Sequence, residues 1–179
     1  MAIVPSNEMA KVAAGLPPWL NSQMSRGQVL KHLITYTAGT SATAASSEIQ
    51  DIPLPPGVVI DLSSVAISHN GVGAGTYTLE LYLADKQGNL VHNCGGIGTL
   101  TVTTTSGEIA RLASAPADAA PWLLFDPAQF LIDNETKVSG VTMTYALLKE
   151  KYQFVLCVKN SASVTANKTL SIIMDLVVP

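Results

Sequence analysis

Three histidines, two cysteines and a scattering of carboxylates are the side chains here whose types could support acid–base, nucleophilic or metal chemistry. His32, His69 and His92 stand at no metal-ligand spacing. None has an Asp or Glu three or four positions away on a shared helix, or two positions away in a strand, where residues i and i+2 share a face. His32, in an alternating run, reads as a sheet-surface residue; His69 and His92, at turns, read as solvated. Glu80 and Asp85 fall at opposite parity in one run, so they make no carboxylate pair within a strand, while a pair built across strands stays open. Gly71-x-Gly73-x-Gly75 has the glycine density of a phosphate loop. Alternating residues follow it, however, and not the helix whose N-terminus would face an anion. No Gly-x-Ser-x-Gly elbow occurs. Cys94 and Cys157 form no CxxC: Cys157 belongs to an alternating run as a small core or sheet-face residue, Cys94 to a Gly-rich turn, and their pairing is open. The expectation is a chain with no catalytic residue, no cofactor and no metal site.

The elements that would have to position such groups are strands. In Thr76–Ala84, Tyr77, Leu79, Leu81 and Leu83 alternate with Thr76, Thr78, Glu80 and Tyr82, and turn residues bracket the run at Gly71–Gly75 and Asp85–Asn89. A hairpin partner is expected from Leu90, running to His92, with Asn93–Gly96 as a loop and further strands over Gly98–Thr105 and Gly107–Leu112. Upstream, strands are expected over Val29–Thr37, Glu48–Leu54 and Val58–Ile67. The last has apolar residues at both parities (Val58, Ile60 and Leu62; Val59, Val65 and Ile67) and is read as central. Three strands close the chain: Val138–Leu148, Tyr152–Lys159 and Lys168–Val178. From Ala113 to Asp133 the alternation fails; Asp126 and Pro127 there suit the cap and first position of a helical turn. Eight or more short strands with regular turn signals predict an all-β fold, an antiparallel β-sandwich of jelly-roll type.

Residues 1–28 differ in character and are read as an extended N-terminal arm ahead of a β-sandwich domain at 29–179. Ser6 suits the cap of a short helix over Asn7–Ala14, and Pro17-Pro18 stops it. Fully extended, the arm would reach about 90 Å at about 3.3 Å per residue. Pro17, Pro18, Trp19 and Leu20 make a compact apolar anchor, expected to dock on the arm's own domain or on a partner. The second apolar cluster, Trp122, Leu123, Leu124 and Phe125, is expected to be a subunit contact or a core plug.

Only 13% of residues are charged while 47% are apolar, which suits a surface partly covered by neighbours. The net charge of −3, with ten scattered basic residues, provides no footprint for nucleic acid. No apolar run approaches the roughly 18 residues of a membrane span. The N-terminus lacks the charged and apolar blocks of a secretory signal, so synthesis in the cytoplasm with reduced thiols is expected.

Several segments carry a resemblance: a strand ending Tyr36-Thr-Ala-Gly39, then Glu48-Ile-Gln-Asp-Ile-Pro-Leu-Pro-Pro-Gly-Val-Val-Ile60, then Gly75-Thr-Tyr-Thr-Leu-Glu-Leu-Tyr-Leu-Ala-Asp85, and a closing Lys168-Thr-Leu-Ser-Ile-Ile-Met-Asp-Leu-Val177. Together they resemble the head decoration (capsid cement) and capsid-associated proteins of tailed bacteriophages. The likeness covers about residues 28–92 and 152–178 and leaves 113–133 unexplained. It implies a virion structural protein, made in the bacterial host cytoplasm, that binds the major capsid protein on the outside of the shell. It also implies a homotrimer. A carbohydrate- or receptor-binding β-sandwich of a phage tail or fibre is the alternative.

Overall fold

The computed structural model describes residues 3–7, 28–54, 57–114 and 124–178. Of the arm's expected helix only Asn7, its first residue, is described, and the rest of it and the Pro17–Leu20 anchor lie outside these residues. Strand β1 (Ile3–Pro5) runs parallel to β3 (Glu48–Leu54), so the start of the chain lies on its own domain. The other main strands are β2 (Gln28–Thr37), β4 (Val59–His69), β5 (Gly75–Asp85), β6 (Leu90–Val102), β7 (Ile109–Ser114), β11 (Tyr152–Asn160) and β12 (Thr169–Val178). They follow one path, β1-β3-β11-β5-β6-β7-β4-β12-β2. One sheet is β3-β11-β5-β6 and the other β7-β4-β12-β2, and successive strands cross between them except at the β5–β6 hairpin. This is the jelly roll the strand spacing predicts.

Alternation sets the interior. Tyr77, Leu79, Leu81 and Leu83 of β5 are fully buried, as are Phe154, Leu156 and Val158 of β11 and Ile172, Met174 and Leu176 of β12. In β4 the two-sided apolar pattern has a different cause from the one expected. An irregularity opposite Ile173 and Asp175 lies between Asp61 and Ala66, and it puts Ile60, Leu62, Val65 and Ile67 all on the buried face. Asp61 holds it: its Oδ1 accepts from the Ser63 amide (2.9 Å) and hydroxyl (2.6 Å). The Ser64 hydroxyl donates to the Asp61 carbonyl and accepts from the Asp175 amide, both at 2.7 Å.

Strand β6 corrects a second expectation. Asn93–Gly96 is not a loop but part of one strand, shifted in register three times against β5 so that Val91, Cys94 and Ile97 are extra residues. Glycines oppose Leu79, Leu81 and Glu80, and the bulged Ile97 and Cys94 fill the interior that Gly98 and Gly95 leave empty.

The excursion after β7 holds β8 (Leu124–Phe125), α1 (Pro127–Asp133), β9 (Lys137–Val138), β10 (Val141–Thr142) and α2 (Tyr145–Lys151). Asp126 caps α1 as expected, its carboxylate accepting from the Ala128 and Gln129 amides with Pro127 following. The expected strand Val138–Leu148 does not form. Ser139 (φ 51°) and Gly140 (φ 81°) both take positive φ and make the two-residue turn of the β9–β10 hairpin. Thr144 then caps α2, built from good helix formers.

One long side of the sandwich is shut by β6 pairing with β7. On the other side β3 and β2 do not pair, and side chains span the gap. His32 Nε2 of β2 bonds Asp51 Oδ2 of β3, both fully enclosed, and the Ser6 hydroxyl donates to Asp51 Oδ1 at 3.3 Å. His32 is therefore not the sheet-surface residue expected. Removing the imidazole leaves the Asp51 carboxyl buried without its partner across the gap. His32→Ala is expected to lower unfolding free energy by about 3–5 kcal/mol in urea denaturation. A loss below about 1 kcal/mol would mean the pair does not hold this side shut.

Candidate interaction surface

The two outer faces of the sandwich differ. On the β7-β4-β12-β2 sheet, strand parity turns one set of side chains outward in register. One row is Val29, Val177 and Val59, the next Lys31, Asp175, Asp61 and Leu124, the next Leu33, Ile173, Ala66 and Arg111, and the last Thr35, Ser171, Ser68 and Ile109. Five large apolar residues on it are well exposed: Val29 at 62%, Leu33 at 46%, Ile109 at 69%, Leu124 at 53% and Ile173 at 41%. The charges within it are largely answered locally. Lys31 Nζ lies 3.0 Å from Asp175 Oδ1, and Asp61 is occupied by Ser63. Of the five only Leu33 and Ile173 are register neighbours, and charged and hydroxyl side chains stand between the others. Single exposed apolar residues are ordinary, but five on one sheet face make it the more apolar of the two outer faces among the described residues.

Two of the expected contact residues belong to this region and are split by β8. Phe125 pairs with Ile60 and turns inward, its ring 5.3 Å from that of Phe130, so it is a core plug. Leu124 pairs with Asp61 and turns outward, as a contact residue would. Trp122 and Leu123 lie outside the described residues, like Pro17, Pro18, Trp19 and Leu20. Val29, Leu33, Ile109 and Ile173 were missed by the sequence reading. Their signal is in the sequence, as apolar residues at the outward parity of strands, but it takes the sheet order to show that they share one face.

The outer face of the β3-β11-β5-β6 sheet sets a small apolar cluster (Tyr82, Ala84, Val155 and Cys157) beside a group of ionisable side chains assembled across strands. The Tyr82 hydroxyl lies 2.8 Å from Glu48 Oε2 and 3.4 Å from Glu80 Oε2. Asn93 Nδ2 donates to Glu80 (3.0 Å) and to the Tyr82 oxygen (2.8 Å), and Lys159 Nζ sits 3.6 Å from Glu80 Oε1. Glu80 thus finds its carboxylate neighbour on β3, the across-strand pairing that parity within β5 left open. Burial, reinforced by the hydrogen bond to Glu48, raises the Tyr82 hydroxyl pKa well above its usual value, so it serves as a neutral donor here.

The other groups singled out in sequence do not converge. His69 is buried and not solvated as expected: its Nδ1 accepts from the Gly71 and Val72 amides, and Nε2 lies 3.9 Å from Glu108 Oε2. This pins the start of the β4–β5 turn. Gly71–Gly75 is a turn without a following helix, as read from sequence. Among the described residues no group of three or more His, Cys, Asp or Glu is placed to hold a metal ion. Nor is any helix among them long and apolar enough to cross a membrane. Comparison with family models, with curated proteins and with solved structures finds no match for this chain.

Both cysteines are free. Desolvation pushes the Cys94 thiol up to about 12, and burial with the nearby Glu48 carboxylate raises Cys157 further. Since the thiolate is the reactive form, reactivity falls at any pH below the raised value. Neither thiol is expected to react with Ellman's reagent within minutes at pH 8 in the native protein, whereas both should react at once in denaturant. Rapid native labelling would contradict this burial.

Proposed function

We propose that this protein is a structural component of a bacteriophage particle that binds the outer surface of the capsid and stabilises or decorates the shell. The observation that carries the reading is the outer face of the β7-β4-β12-β2 sheet, where five exposed large apolar side chains stand on hydrogen-bonded strands among charges that balance. A surface of that kind loses little conformational entropy on docking, because its side chains stand on hydrogen-bonded strands, and it gains from releasing water. Repetition over a lattice multiplies a modest contact through high local concentration. The resemblance of the strand segments to capsid-associated proteins supports the same reading. The arm anchor Pro17-Pro18-Trp19-Leu20 is proposed to widen the contact with the major capsid protein or a neighbouring subunit. The protein works by binding and carries out no reaction.

The test is incorporation into particles of the parent virus. Ile109→Asp combined with Leu124→Asp changes two exposed side chains, so the domain should melt as before. The copies retained on purified particles are expected to fall at least about tenfold, the effect of losing a central contact. Unchanged occupancy would overturn the assignment of this face. Glycan binding by the isolated protein, lost with the same pair, would transfer the face to receptor recognition.

A further inference from the structure

The strand path has two ends, and they are finished differently. At one end β3 is covered by β1, which is three residues long and ends in Pro5, a residue without an N–H. At the other end stands β2, ten residues long, with no strand on its far side among the described residues. The Ala38 amide donates to the Lys168 carbonyl at 3.0 Å, toward β12, whereas the Thr37 amide turns the other way to Asn7 Oδ1 at 3.2 Å. Pairing with β12 is unbroken from Thr37 to Gln28, so the alternation persists. The N–H and C=O groups of Val29, Lys31, Leu33 and Thr35 therefore point off the open edge.

We propose that this edge is a self-association site: β2 of a second copy pairs with it antiparallel, about a two-fold axis at Leu33. Native proteins guard long edges with prolines, bulges, charged side chains or a covering helix or loop. β2 has neither proline nor bulge, and its one outward charge, Lys31, is paired with Asp175.

The occupant follows from the edge itself. An antiparallel partner must bring residues of the same parity opposite Val29–Thr35, and a second β2 does so. Centring on Lys31 would oppose two ammonium groups, which disfavours that register. Centring on Leu33 sets Leu33 against its copy and Lys31 against Thr35, and leaves Thr37, already held by Asn7, at the margin. The outward side chains of Val29 and Leu33 continue into Ile173 and Val177, so pairing joins two apolar faces into one of double width. An isologous contact closes after two copies and uses both open edges at once. The assembly is two-fold, where the resemblance implied a trimer, and it does not depend on the capsid reading.

The test is the mass of the isolated full chain by light scattering and sedimentation equilibrium. The expected species is twice the 18.7 kDa chain. Leu33→Pro removes an N–H that serves only the open edge, and is expected to weaken dimerisation at least about tenfold with melting little changed. Leu33→Glu, which alters no backbone group, guards against a folding defect. It should be monomeric alone, as should Leu33→Lys, and an equimolar mixture of the two should restore the dimer. A monomeric or trimeric wild type, a dimer that survives both Leu33→Glu and Leu33→Lys, or a mixture that stays monomeric would overturn the proposal.

Discussion

Two sheets laid face to face keep water out of their shared interior only if both long sides are shut, and in this molecule the two sides are shut by different means. Backbone pairing between β6 and β7 closes one. The other carries a buried His32–Asp51 contact with the Ser6 hydroxyl beside it. The apolar rows of β5, β11, β12 and β4 are dry because this second side holds. A buried imidazole–carboxyl contact is a costly way to join two strands, since both groups give up their hydration. What it provides is direction. An imidazole and a carboxylate must meet in one geometry, which sets where β2 lies against β3 and where β1, bonded alongside β3, can run.

That closure leaves β2 in an unusual position. Its inner side chains and its bonds to β12 are committed to the domain, while on its other backbone edge only the Thr37 amide, held by Asn7, is engaged by a neighbour that the described residues show. The apolar outer face begins at this strand and extends across β12, β4, β7 and β8. The opposite outer face carries the Glu48, Tyr82, Glu80, Asn93 and Lys159 network beside a small buried apolar cluster of Tyr82, Ala84, Val155 and Cys157. One outer face thus bonds its polar groups to one another, and the other exposes five large apolar side chains. The proposed roles in assembly rest on that asymmetry.

The bulges show how the faces are kept apart. A strand with an extra residue reverses the side to which every later side chain points. In β4 the irregularity between Asp61 and Ala66 keeps Ile60 and Leu62 on the same side as Val65 and Ile67, and so frees the outward positions for Asp61 and Ala66. In β6 the three extra residues let a glycine-rich strand still place Ile97 and Leu100 in the interior.

Strand positions, the buried row of β5, the jelly-roll class and the Asp126–Pro127 helix start were all legible in the sequence. Each depends on local chemistry: alternation at period two, a capping carboxylate, a proline that suits only a first turn. Where local signals competed, the reading failed. Val138–Leu148 carries strand-like residues, but Ser139-Gly140 and Thr144 divide it into hairpin and helix. His32 looked like a surface residue because its partner lies on another strand, brought near by β2 and β3 standing at the same open side. The Glu48–Tyr82–Glu80 cluster and the apolar outer face are likewise products of sheet order. Sequence by itself determined which residues form strands and which row each strand can bury, because those depend on neighbours along the chain. Which rows lie side by side, and which strands stand at the ends of the path among the described residues, was decided only by the tertiary structure, because hydrogen bonding between distant strands sets both.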